Sequence, residues 1–141
     1  MPGSDPQTGD VYYYPYLWKR QWAGAESEKD RPCCVVLRLV TGRIRGADTI
    51  MLALSQSGFP VGGYGVIVPA DYIANLKRLD ASVETCLVTS EFNADMSDRP
   101  SFEDREYLGA LPIAFVKTVL QEMRAHLQAG TGAVDRTSSG R

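Results

Sequence analysis

The apolar positions of this chain fall mostly into short runs separated by turn residues, a pattern typical of β-strands. The first run is dense in aromatic residues, which favour a pleated and half-buried surface. The later runs are rich in valine, leucine and isoleucine, and runs of about four to eight such residues predict buried strands. The predicted strands cover residues 11–18, 33–40, 49–54, 66–68 and 83–89.

Two segments instead carry apolar residues at helical spacing. The first begins at Pro69 and predicts a short helix of about two turns. The second opens at Leu111-Pro112, because proline suits a first helical turn, and Gly130 ends it. Its apolar stripe consists of Val116, Val119, Leu120, Met123 and Leu127.

The connections between most strands are too short for parallel crossovers, which favours antiparallel pairing. The sequence therefore predicts a mainly β (β+α) protein, a small and strongly bent antiparallel barrel with a short helix and a C-terminal helix. A single domain is expected over residues 9–128, with disordered tails at 1–8 and 129–141. Residues 19–30 and most of 90–107 are polar and are predicted to form loops.

Composition restricts the class of protein. The 141 residues are 44% apolar and 23% charged, as in an ordinary soluble domain. A run of about 18 apolar residues and a signal-peptide pattern are both lacking, so we expect a cytoplasmic location. The three cysteines are an odd count, and Cys33 and Cys34 are adjacent on a strand, so all three are expected to be reduced, with a catalytic thiol as a minor alternative.

The distribution of charge along the chain is less ordinary than the net charge. A net charge of −2 argues against a general nucleic-acid binder. Residues 1–45, however, carry +2 and the other 96 residues carry −4. A basic region on an acidic body can bind a short anionic ligand.

Arg31 is the first candidate for such binding. It precedes Pro32, which opens the second strand, so the guanidinium is expected at the rim of the sheet. A guanidinium is always cationic and its planar fork of donors matches two phosphate oxygens. The alternative is a structural ion pair with Asp30 or with a carboxylate across the sheet.

Further candidates lie near the ends of the first and third strands. Cations and aromatic side chains together bind single-stranded nucleic acids, and the segment before Arg31 supplies both. These candidate substrate-binding residues are Trp18, Lys19, Arg20, Trp22 and Lys29. Ser55 and Ser57 follow the third strand and can donate hydroxyl hydrogen bonds. The alternatives are that both tryptophans pack under the loop and that the serines only form a turn.

In feature order, residues 9–128 resemble the MazF/PemK-type toxins, which share a fold with the gyrase-poisoning CcdB toxins. The resemblance comprises Gly9-Asp10 before an aromatic strand, a long charged loop, Arg31-Pro32 before an apolar strand, the Ser-Gln-Ser-Gly-Phe-Pro loop at 55–60, and a final helix. It implies an SH3-like barrel and a homodimeric endoribonuclease that needs no metal or cofactor. Such enzymes cut single-stranded RNA and are silenced by an antitoxin protein.

The resemblance makes Arg31 the catalytic arginine, with Ser55 or Ser57 in place of the family's catalytic threonine. Serine keeps the hydroxyl but lacks the methyl group that restricts the rotamer, so weaker pre-organisation is expected. His126 is the only histidine and stands near the end of the last helix, which excludes a two-histidine mechanism. The identity of the general base stays open, and Asp30 and Glu28 are the candidates.

Two other functions remain open on the sequence. The missing threonine and the acidic total charge also suit a non-catalytic growth inhibitor that binds a protein, as the gyrase poisons do. An inactive homologue of the same fold is the third alternative.

Overall fold

The computed structural model describes residues 6–15, 30–39, 47–59, 62–95, 105–128 and 133–135. Within these ranges the chain forms eight strands and two helices. In order they are β1 Asp10–Tyr14, β2 Arg31–Arg38, β3 Thr49–Ser55, β4 Gly65–Val68, α1 Ala70–Ile73, β5 Thr85–Val88, β6 Phe92–Asp95, β7 Glu106–Ala110, α2 Ile113–Gln128 and β8 Ala133–Asp135. The prediction of a mainly β protein with two helices is confirmed, and the five predicted strands are present with shifted ends.

The strands form one sheet in the order β4-β5-β3-β2-β1-β7, with β6 joined to β3 and β8 joined to β6. The pairs are antiparallel except β6 with β8. The edge of β3 is divided, because its first residues pair with β6 and its last two with β5. The sheet therefore bends at β3. Among the described strands no ladder joins β4 to β7, so these strands form an open sheet.

Strand β2 is buried on both faces, and side chains that alternate along a strand reach opposite faces. Cys34 and Val36 belong to the core that α2 covers, together with Val11, Leu52, Leu54, Leu87, Leu108, Val116, Val119 and Met123. Cys33 and Val35 belong to a second core on the other face, with Tyr12, Tyr14, Met51, Ala53 and Val88. Burial on both sides explains why β2 is a continuous apolar run rather than an alternating one.

Helix α2 buries three residues of the stripe that its spacing predicts, and a fourth, Leu120, packs against the same core while partly exposed. Val116 and Val119 are fully buried and Met123 is 3% exposed, all against the first core. The helix opens with the Val116 N–H donating to the carbonyl of Pro112 at 3.1 Å. None of the helices in the described ranges is long and apolar enough to cross a membrane.

The segment over 90–107, predicted to be mostly loop, contains β6 and the start of β7, and its residues 96–104 lie outside the described ranges. Strand β6 has the sequence F-N-A-D, and Asn93 and Asp95 are completely buried. The carboxylate of Asp95 accepts a hydrogen bond from the Tyr14 hydroxyl, and its carbonyl accepts from the Asp48 N–H at 3.1 Å. Buried polar groups need such partners, and these come from distant parts of the chain.

The first predicted helix is shorter than expected. Only four residues are helical, because the Lys77 N–H donates to the carbonyl of Leu108 in β7 at 2.9 Å instead of continuing the helix. Arg78 then adopts a φ of +67°, which helical residues do not. The segment after α1 is thus attached to β7.

The predicted tails also contain defined structure. Within 129–141, Ala133–Asp135 pairs in parallel with β6. Within 1–8, Pro6 is buried and the Gln7 N–H donates to the Asp10 carboxylate at 2.9 Å. The two ends of the domain are therefore held by backbone hydrogen bonds that composition does not reveal.

Gly9 of the Gly9-Asp10 motif joins three elements. Its N–H donates to the carbonyl of Val35 at 2.7 Å, and its carbonyl accepts from the Leu111 N–H at 2.8 Å. Its φ is +99°, and an added Cβ would lie 2.9 Å from the Leu111 carbonyl oxygen. A glycine is needed here for the start of α2 to approach β2.

Candidate functional site

A pocket of about 380 Å³ opens at one end of the sheet. Three parts of the chain form its walls: the end of β1 with the start of β2, the end of β3, and the turn after α1. The lining residues are Tyr13, Asp30, Arg31, Pro32, Leu54, Ser55, Gln56, Ser57, Arg78 and Leu79. The pocket thus brings together the three residues predicted to be catalytic, which are 26 positions apart along the chain at most.

Strand register explains why Arg31 and Ser55 meet. In the antiparallel ladder of β2 with β3, Cys33 faces Ala53. Two residues further towards the same end of the sheet, β2 begins with Arg31 and β3 ends with Ser55. The side chain of Arg31 is half-buried, as expected for a residue at the rim.

The two serines lie in a tight turn. The Ser55 hydroxyl donates to the carbonyl of Gly58 at 2.5 Å and accepts from the Ser57 N–H at 3.3 Å. The two hydroxyl oxygens are 3.4 Å apart. Gly58 has a φ of +93°, which a glycine adopts without strain. The serines therefore have the turn-forming role that the sequence allowed, and both also line the pocket.

Gln56 braces this turn against the opposite wall, a role that the sequence analysis missed. Its amide nitrogen donates to the carbonyl of Asp80 and to the hydroxyl of Thr85, both at 2.8 Å. Its amide oxygen accepts from the Asp80 N–H at 3.2 Å. The side chain of Gln56 therefore sets the position of the β3 turn relative to the segment that follows α1.

Arg78 adds a second guanidinium that the sequence analysis also missed. Its Nη2 and Nε lie 2.8 and 2.9 Å from Oε1 of Glu106 in β7. Its Cζ lies 5.0 Å from the centroid of the Tyr13 ring. The guanidinium of Arg78 lowers the pKa of the Glu106 carboxyl below its usual range, through its hydrogen bond first and its charge second. No local pattern marks this residue, because both contacts are with other strands.

Of the two carboxylates suggested as a general base, Asp30 is exposed and lines the pocket next to Arg31. Glu28 lies outside the described residues. The five predicted substrate-binding residues, Trp18, Lys19, Arg20, Trp22 and Lys29, also lie outside them. His126 belongs to α2.

The cysteines are free thiols buried in the sheet. Burial raises the pKa of the Cys34 thiol far above its usual range and, to a smaller extent, that of Cys86. Cys33 donates to the carbonyl of Arg31 at 3.3 Å. A buried thiol with a raised pKa forms little thiolate, so Cys34 and Cys86 are poor nucleophiles.

Among the residues that the structure describes, no group of three or more histidine, cysteine, aspartate or glutamate side chains is placed to bind a metal ion. Comparisons of the chain with protein-family models, with curated proteins and with solved structures give no significant match.

Proposed function

We propose that this protein is a toxin-type endoribonuclease that cuts single-stranded RNA without a metal ion. The observation that carries the proposal is the convergence of Arg31, Ser55 and Ser57 on one pocket. Its volume of about 380 Å³ lies within the usual range of small-molecule sites, so a phosphodiester with parts of its nucleotides fits. The neighbouring hydroxyls and open space are what a phosphate-binding arginine requires.

The chemistry depends on the nucleophile that RNA itself contains. The 2′-hydroxyl attacks the adjacent phosphorus in line, the electron pair of the bond to the 5′-oxygen leaves on that oxygen, which takes a proton from water, and a 2′,3′-cyclic phosphate forms. Negative charge builds on the non-bridging oxygens in the transition state. Arg31 donates two hydrogen bonds to these oxygens and stabilises that charge, as pre-organised donors do in water-poor sites.

A serine hydroxyl supplies a further donor, and Ser55 is the better placed of the two. Ser55 is 8% exposed at the end of a strand, whereas Ser57 is exposed in the turn. To donate to the phosphate, the Ser55 hydroxyl turns away from the Gly58 carbonyl while it still accepts from the Ser57 N–H. Asp30 takes the 2′-proton in this proposal, because it lines the same pocket as Arg31.

The remaining family features belong to the same proposal. We infer an SH3-like barrel, a homodimer, an antitoxin partner and a cytoplasmic location. The bend at β3, where one strand edge pairs with both β5 and β6, supports a barrel-like curvature. Trp18, Lys19, Arg20, Trp22 and Lys29 stay proposed substrate-binding residues on their chemistry alone, because they lie outside the described residues.

The test is cleavage of a mixed-sequence RNA in EDTA by purified protein, with products resolved at nucleotide resolution. We expect cuts that leave 2′,3′-cyclic phosphate ends, and we expect Arg31→Ala to abolish them. Lys77→Ala is the matched control, because it removes an exposed cation that does not line the pocket. An RNA pool that stays intact with the wild-type protein would defeat the proposal.

A second function is favoured by one contact. The Ser55 hydroxyl is already engaged by the Gly58 carbonyl at 2.5 Å, and the family's threonine is absent. A protein-binding growth inhibitor that does not cut RNA needs no free hydroxyl at this point. Growth inhibition that survives Arg31→Ala would identify that function.

A further inference from the structure

Arg78 has an unusual backbone conformation for its residue type. Its φ of +67° lies in the left-handed region, which few residues other than glycine occupy. Such strain persists only where the surrounding structure enforces it, and it often occurs at functional sites. Here the enforcement comes from Leu76, which is buried against β7, and from the Lys77 N–H bound to the Leu108 carbonyl.

The guanidinium of Arg78 is fixed and yet accessible. Glu106 accepts from two of its five N–H groups, and the Tyr13 ring lies beneath it. The other three N–H groups have no partner among the residues that the structure describes. The side chain is 53% exposed, so these donors reach solvent and the pocket. A held guanidinium with unused donors loses little entropy when it binds an anion.

The ion pair with Glu106 does not by itself account for this arrangement. Exposed pairs of this kind contribute little to stability, and Glu106 is 44% exposed. The charged residues that line the pocket are Asp30, Arg31 and Arg78, which sum to one positive charge. Glu106, which lies outside the lining, balances the charge of Arg78, so what Arg78 offers an anion in the pocket is its unused N–H donors.

The sheet separates the two arginines by more than one strand. Across β2, β1 and β7, Pro32, Tyr13 and Glu106 are direct neighbours in the ladders. Arg31 begins β2, whereas the head of Arg78 is attached to β7 across the Tyr13 ring. Adjacent strands lie about 4.8 Å apart, so β2 and β7 are about 10 Å apart. The backbones of β2 and β7 are thus further apart than successive phosphates of one nucleic acid strand, but the Arg78 head shortens this span because it lies 5.0 Å from the centroid of the Tyr13 ring in the intervening β1.

We propose that Arg78 binds an RNA phosphate next to the scissile one, so that the pocket takes an extended strand with at least two consecutive phosphates. This inference rests on the proposed nuclease function and deepens it. Arg78 acts on substrate binding, whereas Arg31 acts on the transition state. Tyr13 and Glu106 are positioning residues that hold the Arg78 guanidinium over the sheet.

The first test is steady-state cleavage by Arg78→Gln, which keeps most of the side-chain length but loses the charge. We expect KM to rise about tenfold or more with kcat nearly unchanged, because a charged hydrogen bond to substrate is lost equally in ground and transition states. Lys77→Ala, one residue earlier and outside the pocket, should leave both constants unchanged. A loss confined to kcat would place Arg78 on the scissile phosphate and overturn the inference.

The second test is binding of an RNA oligonucleotide that carries a 2′-deoxy nucleotide at the cleavage position and so stays intact. The slope of log affinity against log salt should be smaller by about 0.7 in Arg78→Gln, because one phosphate contact is lost. Arg78→Lys keeps the charge and should restore the slope. Neutral methylphosphonate linkages can then be introduced into the RNA one at a time. At one linkage beside the scissile one, the replacement should weaken RNA binding by the wild-type protein but not by Arg78→Gln.

The outcomes separate this inference from the function it rests on. If the wild-type protein neither cuts nor binds RNA, both fail. If the wild type cuts RNA while Arg78→Gln matches Lys77→Ala in KM and salt slope, the nuclease function stands and the role of Arg78 is overturned.

Discussion

Ser55 has a role in the fold and, in the proposed nuclease, a role in the reaction. Its hydroxyl accepts the Ser57 N–H and donates to the Gly58 carbonyl, so it holds the turn that ends β3. A serine has one fewer rotamer restraint than a threonine, because it lacks the β-methyl group. The Ser57 N–H, from which the hydroxyl still accepts when it donates to a phosphate, supplies part of the ordering that the methyl group would otherwise provide. Pre-organisation at this position therefore comes from the backbone of the turn.

This view predicts a difference between the two serines. Ser55→Ala should lower the cleavage rate by about 10² to 10³, the usual effect of losing one transition-state donor. Ser57→Ala should lower it by less than about tenfold, since Ser57 is exposed in the turn. Single-turnover cleavage of a defined RNA measures both.

Ser55→Thr is the informative control, because it keeps the hydroxyl and adds the methyl group of the family's residue. We expect its activity to equal or exceed that of the wild type. A reversed order, with Ser57→Ala the more damaging change, would assign the donor role to Ser57.

At the scale of elements, the pocket depends on how α1 is attached to β7. The short helix ends early because the Lys77 N–H, four residues beyond it, donates to the Leu108 carbonyl, and Leu76 enters the first core. Gly109 in β7 makes this approach feasible. Its φ is +138°, and an added Cβ would lie 2.9 Å from Cδ2 of Leu76 and 3.0 Å from the carbonyl oxygen of Asn75. The position of Arg78 follows from this contact.

We therefore expect Gly109→Ala to lower the free energy of unfolding by at least about 2 kcal/mol, from backbone strain and from the clash together. Gly62→Ala is the matched control. Gly62 also has a positive φ, of +76°, but an added Cβ meets nothing within 4 Å, so a loss of about 1 kcal/mol is expected. Urea denaturation of both variants measures the difference, and equal losses would mean that the α1 segment is not tightly attached to β7.

At the scale of the molecule, both faces of the sheet are buried, so the ends of its strands are where side chains can meet a ligand. The two cores occupy the faces of β1, β2 and β3, and the pocket lies where β2 begins and β3 ends. Side chains at these ends are held by well-packed strands and still reach solvent. Rigid strands that carry rim residues suit a reaction in which the protein mainly orients and stabilises charge.

Expression in a bacterial host tests the function of the whole molecule. If the chain is a nuclease toxin, its expression without a partner should arrest growth, and Arg31→Ala should restore it. Lys77→Ala should remain as toxic as the wild type. Inhibition that persists in Arg31→Ala would favour a protein-directed inhibitor, and unimpaired growth with the wild type would favour an inactive homologue.

Local sequence was sufficient for much of the fold. Strands β2 and β3 are continuous apolar runs, and their burial on both faces is a consequence of that composition. The stripe of α2 was equally evident, because its period matches a helix with one buried face. In these elements the hydrophobic pattern alone determines which backbone conformation buries the most apolar surface.

Strand β6 could not be predicted in the same way. Its buried polar residues give it the composition of a loop, and the partner that makes burial of Asp95 feasible is Tyr14, 81 positions away. Long-range hydrogen bonds of this kind can make a segment a strand although its local composition favours a loop. The strand over Ala133–Asp135 follows from the same cause, since it pairs with β6.

Some residues of the candidate site could likewise be predicted from local sequence, whereas others could not. Arg31, Ser55 and Ser57 could be named from the chain, because a proline before an apolar run and a polar loop after another are local signals. That these residues share a pocket depends on the register of β2 with β3. Gln56 and Arg78 became candidates only through contacts with Asp80, Thr85, Tyr13 and Glu106. Apolar periodicity is a property of neighbouring residues, whereas the approach of charged groups from separate strands is set by packing, which only the folded chain decides.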